Sequence, residues 1–173
     1  MKDSNNKPKY DALTVAKYLL SLDPNREYFG KEKITNEITF VITTAGSFRL
    51  HQILYLLQIF HYLKYDQFLF KDKLYAWESG VIAYKVYTHF WELYNKVNGT
   101  DIENIEDEKT KEFITKCFNY LRTLPDRTLQ EFSYSDPAWS STWTKSPEPE
   151  INFTDKKNLY QNYFSHWLQE ARL

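Results

Sequence analysis

The side chains that could carry bond-making chemistry in this sequence are few and scattered. The four histidines and the one cysteine are His51, His61, His89, His166 and Cys117. The histidines lack the i, i+3 or i+4 spacing of helix-borne metal ligands, so no metal site is expected. Cys117 lies within an apolar helical arc, where the pKa of a thiol is raised, and we interpret it as a buried core residue. The acidic run at 106–108 is typical of a solvated helix start.

Short motifs with a known catalytic mechanism are also absent. The sequence contains no GxSxG, HExxH, CxxC or GxGxxG pattern, and its 4 glycines cannot build a glycine-rich phosphate cradle. We therefore predict no catalytic residue, no cofactor and no enzymatic activity.

A polar stripe on one apolar helix is the remaining candidate for chemistry. His51, Tyr55, Gln58 and Tyr62 recur at helical spacing within the segment 47–64. A deep pocket lined by these residues would indicate a cryptic enzyme. Polar groups inside a helical bundle more often satisfy one another's hydrogen bonds, and we favour that interpretation.

Aromatic residues make up 18 % of the chain, and two tryptophans stand apart from the helical stripes. Trp139 and Trp143 lie in a predicted loop, 133–149, that is rich in Ser and Pro. One interpretation is that both rings pack into the core and fix the loop. The other is that they contact a protein partner, because Trp and Tyr are enriched at interface hot spots.

Length and charge limit the class of protein. The 173 residues fit one domain, which we place at 10–170 after a polar tail at 1–9. The net charge of −1 lacks the basic clustering of nucleic-acid-binding proteins, so no nucleic acid is expected. Without a run of about 18 apolar residues or an apolar signal core, no membrane association is expected. A single cysteine fits a reducing compartment, and we expect a cytoplasmic protein.

The hydrophobic pattern predicts a mainly α fold: one compact domain of about six helices with one or two short strands. Predicted helices span 11–22, 47–64, 80–97, 100–122 with a capping-box pattern at 100–103, a short segment capped by Asp126, and a last segment capped by Thr154 or Asp155. Helical spacing predicts core-facing residues on the third and the last of these helices: Ile82, Val86, Phe90, Leu93, Tyr94 and Val97, and Leu159, Tyr160, Tyr163, Phe164 and Trp167. A single strand is predicted from Ile34 to Thr43, and 73–79 is short and extended. The helix at 47–64 is apolar on most sides, which places it at the centre of the domain.

Several motifs, taken in order, give the chain a family resemblance. They are Tyr10 to Leu20, Leu50-His51-Gln52-Ile53-Leu54-Tyr55 with Gln58, Leu69-Phe70, Ala76-Trp77, Gly80-Val81-Ile82, Val86-Tyr87, Ser135-Asp136-Pro137-Ala138-Trp139, and Leu159 to Phe164. This ordered set, over residues 10–164, resembles the Panacea-domain family, which includes SocA-like antitoxins of bacterial and phage toxin–antitoxin pairs. The chain departs from the family pattern at Gln52, where a basic residue is usual, and at Val81, where proline is usual. Residues 23–46 look longer than the family's loop.

The resemblance implies a non-enzymatic protein-binding module. Its partner would be a cognate toxin that it neutralises by direct binding, and a Clp-type protease is implied if the protein is an adaptor for proteolysis. The motifs supply Trp77, Gly80, Tyr87, Asp136 and Trp139 as candidate partner-binding residues, and the 133–149 loop adds Trp143. Each of them could instead serve only to hold the fold together. Two alternatives stay open: a DNA-binding regulator with a winged-helix-like element, and a phage or host interaction protein without a toxin partner.

Overall fold

The computed structural model describes residues 7–37, 39–78, 80–96, 102–136, 150–151, 153 and 156–173. Within this part of the chain the fold is mainly helical, as predicted, but the elements are more numerous. The described residues form seven helices and four short strands. The helices are α1 (Ala12–Ser21), α2 (Ala45–Tyr65), α3 (Tyr84–Thr88), α4 (Phe90–Lys96), α5 (Glu108–Leu121), α6 (Asp126–Tyr134) and α7 (Lys157–Glu170). The strands are β1 (Lys33–Thr35), β2 (Ile42–Thr44), β3 (Leu74–Trp77) and β4 (Gly80–Ala83).

Helix α2 is the centre of the domain, as its apolar sequence predicts. It packs against α1, α5, α6, α7, β2 and β4. All its residues from Leu50 to Phe60 are buried, including the polar His51, Gln52 and Gln58. The helix ends at Tyr65, and Asp66 caps it in a left-handed conformation with φ 56. The surrounding helices and strands are therefore arranged around one buried helix.

The predicted single strand from Ile34 to Thr43 is wrong, because the chain reverses within it. Strands β1 and β2 form an antiparallel hairpin that pairs Lys33 with Thr44 and Thr35 with Ile42. At the turn, the side-chain oxygen of Asn36 accepts a hydrogen bond from the backbone N–H of Thr39 at 2.9 Å. The alternation of apolar residues on both sides of the turn conceals this reversal in the sequence.

The predicted helix from Gly80 to Val97 also begins too early. Gly80 to Ala83 form β4, which pairs with the predicted extended segment β3, with Trp77 opposite Gly80. Gly80 has φ 118, a conformation that favours glycine. The helical part begins at Tyr84, is interrupted at His89, and buries Val86, Phe90, Leu93 and Tyr94, which are predicted core residues. The β-branched pair Val81-Ile82 favours the strand over the helix.

The ends of the later helices differ from the predicted caps. Helix α5 begins at Glu108, capped by the side chain of Asp107, and not at the capping-box pattern of residues 100–103. Helix α6 is preceded by Pro125, so Asp126 is its first residue and not its cap. The predicted caps Thr154 and Asp155 lie outside the described residues. On α7, Tyr160 and Phe164 are buried as predicted, whereas the predicted core residues Leu159 and Tyr163 are 45 % and 44 % exposed.

The segment between α1 and β1 is organised by one buried carboxylate. Asp23 accepts hydrogen bonds from the backbone N–H groups of Glu27, Tyr28 and Phe29 at 3.1, 3.0 and 2.8 Å. These three donors belong to an irregular segment, so no helix or strand partner satisfies them. Asp23 thereby fixes the chain that leads into the β1–β2 hairpin.

Replacing Asp23 with Ala should lower the free energy of unfolding by about 3 kcal/mol, because buried N–H donors lose their acceptor. Urea unfolding followed by circular dichroism measures this change. Asp11→Ala is the matched control, since Asp11 precedes α1 without forming a side-chain cap bond, and it should change stability by less than about 0.5 kcal/mol. Equal effects of the two substitutions would contradict the proposal that the Asp23 carboxylate stabilises the segment between α1 and β1.

Candidate protein-binding surface

The polar stripe of α2 joins distant parts of the chain. His51, Tyr55 and Gln58 are buried, and Tyr62 is partly exposed and stacks on Phe68 with ring centroids 4.6 Å apart. We expected these residues to satisfy one another, but the three buried ones bond to three other segments. Helix α2 therefore uses its polar groups to fix the elements that surround it.

Gln58 holds the backbone that follows the α2 turn. Its side-chain oxygen accepts hydrogen bonds from the N–H groups of Leu69 and Phe70 at 2.9 and 3.1 Å. Its amide nitrogen donates to the carbonyl of Phe70 at 2.9 Å. Gln58 also lines a cavity of about 460 Å³ together with Phe153 and Asp72, but its amide is already used by the 69–70 backbone. This geometry supports a structural role for the Leu69-Phe70 motif.

Tyr55 bonds to a buried carboxylate at the end of α6. The hydroxyl of Tyr55 donates to Asp136, and the hydroxyl of Tyr160 lies 3.1 Å from both carboxylate oxygens of the same residue. Burial, followed by the charge of Asp136, raises the pKa of Tyr55 and of Tyr160, so both hydroxyls keep their protons. Asp136 thus ties α2, α6 and α7 together inside the protein.

Removing the Tyr160 hydroxyl tests the contribution of its hydrogen bonds to Asp136. Tyr160→Phe should lower the free energy of unfolding by about 2 kcal/mol, in the range for hydrogen bonds to charged groups. Tyr163→Phe is a matched control on the same helix, because its ring is 44 % exposed. Chemical denaturation compares the two variants, and an equally small effect of both would exclude a strong Tyr160–Asp136 bond.

His51 fixes the start of the helical segment 84–96. Its Nδ1 accepts a hydrogen bond from the N–H of Ala83, the last residue of β4, at 3.2 Å. The proton of the neutral ring is therefore on Nε2, which has no partner among the described residues. Burial lowers the pKa of His51 to about 3, because the charged form would lose its hydration. The imidazole is neutral at physiological pH.

This shift makes stability depend on pH. Between about pH 6.5 and about pH 3 the unfolded chain binds a proton at His51 and the folded protein does not. The free energy of unfolding should therefore fall as the pH falls through this window, by up to about 1.4 kcal/mol per pH unit from this group.

The effect is measured by comparing the denaturation midpoints of wild type and His51→Asn between about pH 6.5 and about pH 3. Asparagine keeps an acceptor near Nδ1 but does not titrate, so this variant should show a shallower loss of stability in acid. His166→Asn is the control, because the side chain of His166 is 68 % exposed. If both variants kept the wild-type slope, His51 would not be the group responsible.

Trp77 and Gly80 face each other across the β3–β4 hairpin. A Cβ atom at Gly80 would lie 2.3 Å from Nε2 of Gln52, so another residue would displace the end of that side chain and would also have to adopt a φ of 118. The indole of Trp77 contacts the ring of Tyr87 edge-on, with centroids 5.0 Å apart. The ring of Tyr87 in turn lies 6.4 Å from that of His51. Trp77 and His51 therefore both support Tyr87 from the inside.

Three half-exposed aromatic side chains lie on the α3–α4 segment. Tyr84, Tyr87 and Trp91 are 51 %, 48 % and 54 % exposed. Their spacing of three and four residues places them on neighbouring helical turns. We call these three residues the α3–α4 aromatic surface. The sequence predicts Tyr87 as a binding residue, but misses Tyr84 and Trp91, whose spacing from Tyr87 is the signal that could have revealed them.

The groups that could support other chemistry are separated or buried. Cys117 is fully buried, as predicted, and burial raises the pKa of its thiol. Within the described residues, no group of three or more His, Cys, Asp and Glu side chains could hold a metal ion. None of the described helices is both long and apolar enough to span a membrane.

Comparison with known proteins identifies the family. The family model described as "Antitoxin SocA-like, Panacea domain" matches residues 50–140, more than half of the chain. The chain belongs to this family, as its motifs predict. No match was found among curated proteins or among solved structures.

Most of the predicted partner-binding residues lie within the range that the family model matches, 50–140. Trp77, Gly80, Tyr87 and Asp136 lie within it, and of these Tyr87 alone presents a half-exposed aromatic ring. Trp139 also falls in the range, but Trp139 and Trp143 lie outside the described residues. The α3–α4 segment and the end of α6 are therefore parts of the family's shared region.

Proposed function

We propose that this protein neutralises a cognate toxin by binding it directly through the α3–α4 aromatic surface, and that it catalyses no reaction. The observation that carries this proposal is that Tyr84, Tyr87 and Trp91, spaced three and four residues apart on the α3–α4 segment, are each about half exposed. Membership of an antitoxin-like family supports the class of function. Tyr and Trp are the residues most enriched at the energetic centres of protein interfaces.

The aromatic surface is held by packing beneath it. Trp91 contacts Phe90 and Tyr94, with ring centroids 5.0 and 5.7 Å apart. The guanidinium of Arg26 lies over the ring of Tyr94 and also donates to its carbonyl oxygen at 2.9 Å. A rigid surface loses little conformational freedom on binding, which favours affinity.

The other motif residues support this surface indirectly in our proposal. Trp77 packs against Tyr87, Gly80 allows the positive φ at the start of β4, and the carboxylate of Asp136 anchors the end of α6. Direct contacts of Trp139 and Trp143 with the partner remain a prediction from the sequence.

The DNA-binding alternative is disfavoured by the position of α2. A recognition helix must present polar side chains to base edges in the major groove. Helix α2 instead buries both faces between Leu50 and Phe60. Tight, salt-sensitive binding of duplex DNA in a filter-binding assay would overturn our preference.

Co-purification from the native cell, with mass spectrometry of the bound protein, tests the proposal. We expect one small protein that stops growth when expressed alone and is harmless when co-expressed with this chain. Recovery of a protease subunit together with the toxin would indicate the adaptor form of the same function. Recovery of no protein above background would contradict direct binding.

Substitutions on the aromatic surface give a quantitative prediction. Tyr87→Ala and Trp91→Ala should each weaken binding of the recovered toxin by about 30-fold or more, which corresponds to a hot-spot loss of at least about 2 kcal/mol. Isothermal titration calorimetry measures the affinities. Tyr163→Ala removes a similarly exposed aromatic ring from α7 and should bind normally. Loss of binding in the control alone would place the interface elsewhere.

A further inference from the structure

Phe40 combines two features that are unfavourable for an isolated protein. It has φ 60, in the left-handed region that side chains other than Gly, Asn and Asp rarely adopt. Its side chain is 77 % exposed, more than the other exposed large hydrophobic residues of the described chain. The strained backbone therefore places a phenyl ring in solvent, where it gains no packing energy.

Two of the three other non-glycine residues with positive φ, Arg26 and Asp66, have a visible compensation. Arg26, with φ 53, donates side-chain hydrogen bonds to the carbonyls of Leu20 and Asp23 at 2.8 and 2.7 Å. Asp66, with φ 56, ends α2 and forms an ion pair with Lys157. Phe40 has neither an equivalent side-chain bond nor burial among the described residues. Strain without local compensation is typical of functional sites, where the surrounding structure maintains it.

The turn around Phe40 is fixed by bonds from its neighbours. The N–H of Phe40 donates to the carbonyl of Asn36 at 2.9 Å, and the N–H of Asn36 donates to Val41. The side chain of Asn36 donates to the hydroxyl of Tyr134 at 2.6 Å. The N–H of Glu37 donates to the side chain of a glutamine on α6 at 3.3 Å. The phenyl ring therefore extends from a turn that is anchored to the domain.

The turn is connected to the aromatic surface through one residue. The hydroxyl of Thr39 donates to the carbonyl of Glu78 at 3.0 Å, and the hydroxyl of Tyr134 donates to the same carbonyl at 2.8 Å. Glu78 directly follows Trp77, which contacts Tyr87. The family match begins at residue 50, so the hairpin precedes the matched region.

We propose that Phe40 is an anchor residue that inserts into an apolar pocket on the toxin and determines which toxin this antitoxin-like protein accepts. This inference rests on the proposed function and extends its surface. The half-exposed rings of α3–α4 supply the contact area, and the hairpin outside the matched region supplies the selectivity. The exposed Ile42, two residues further on, extends the apolar contact.

The first test separates binding from folding. Phe40→Gly removes the ring and accepts the left-handed conformation, so its thermal midpoint should equal or exceed that of wild type. Its affinity for the recovered toxin should fall by at least tenfold, whereas Phe40→Tyr should retain most of it. Asp66→Gly relieves a similar φ at the end of α2 and should leave affinity unchanged. A lowered midpoint of Phe40→Gly, or full affinity, would overturn the proposal.

The second test works before the toxin has been identified. p-Benzoylphenylalanine, a photo-crosslinking analogue of phenylalanine, replaces Phe40 in the native cell, with the same analogue at Tyr163 as control. We expect one adduct from position 40 and none from position 163, with the crosslink mapped to apolar residues of the toxin.

The outcomes distinguish this inference from the proposed function. If the wild-type protein neutralised the toxin but position 40 gave no adduct, Phe40 would not be the anchor residue, and the proposal of direct toxin binding would still stand. A single mapped adduct with a protein that does not arrest growth would overturn the proposed function and, with it, the assignment of Phe40 as the residue that selects the toxin.

Discussion

A helix buried on nearly all sides must find partners for its polar groups in the segments around it, and helix α2 does so at three positions, although Nε2 of His51 and Oε1 of Gln52 have no partner among the described residues. Its buried histidine, tyrosine and glutamine each bond to a different part of the chain: the end of β4, the end of α6 and the segment at 69–70. Unsatisfied polar groups in such a site are costly, so each bond selects one position for the attached segment. The positions of these three segments around α2 follow from this condition.

The same bonds connect the interior to the proposed interface. His51 bonds to the last residue of β4, and α3 begins at the next residue, Tyr84, without an intervening loop. The orientation of the aromatic surface is therefore set by a neutral histidine one layer below it. On β3 of the same hairpin, Trp77 packs against Tyr87. The next residue, Glu78, accepts the hydrogen bond from Thr39 that holds the β1–β2 turn. The buried polar residues therefore help to position the half-exposed aromatic residues of α3–α4.

The sequence predicts the parts of the fold that depend on strong periodic patterns. The central helix, the buried cysteine and the apolar face of α3–α4 are all confirmed, because each depends on helical spacing over several turns. The two hairpins are missed or misplaced, because a strand of three or four residues carries too little pattern to show where the chain reverses. The strained conformation of Phe40 has no sequence signature, since neither Gly nor Pro marks the turn. Asp136 could be recognised from its motif, but its two tyrosine partners come from helices distant in sequence.

The position of Tyr160 and Phe164 in the core has a consequence for the turnover of the protein. Both residues come from α7, and they pack against residues of α2, α6 and the buried carboxylate. Detachment of α7 alone would expose the apolar flank of α2 and leave Asp136 without one of its donors. Such a partly open state is a substrate for proteases, so the abundance of the protein depends on how firmly α7 stays packed against α2.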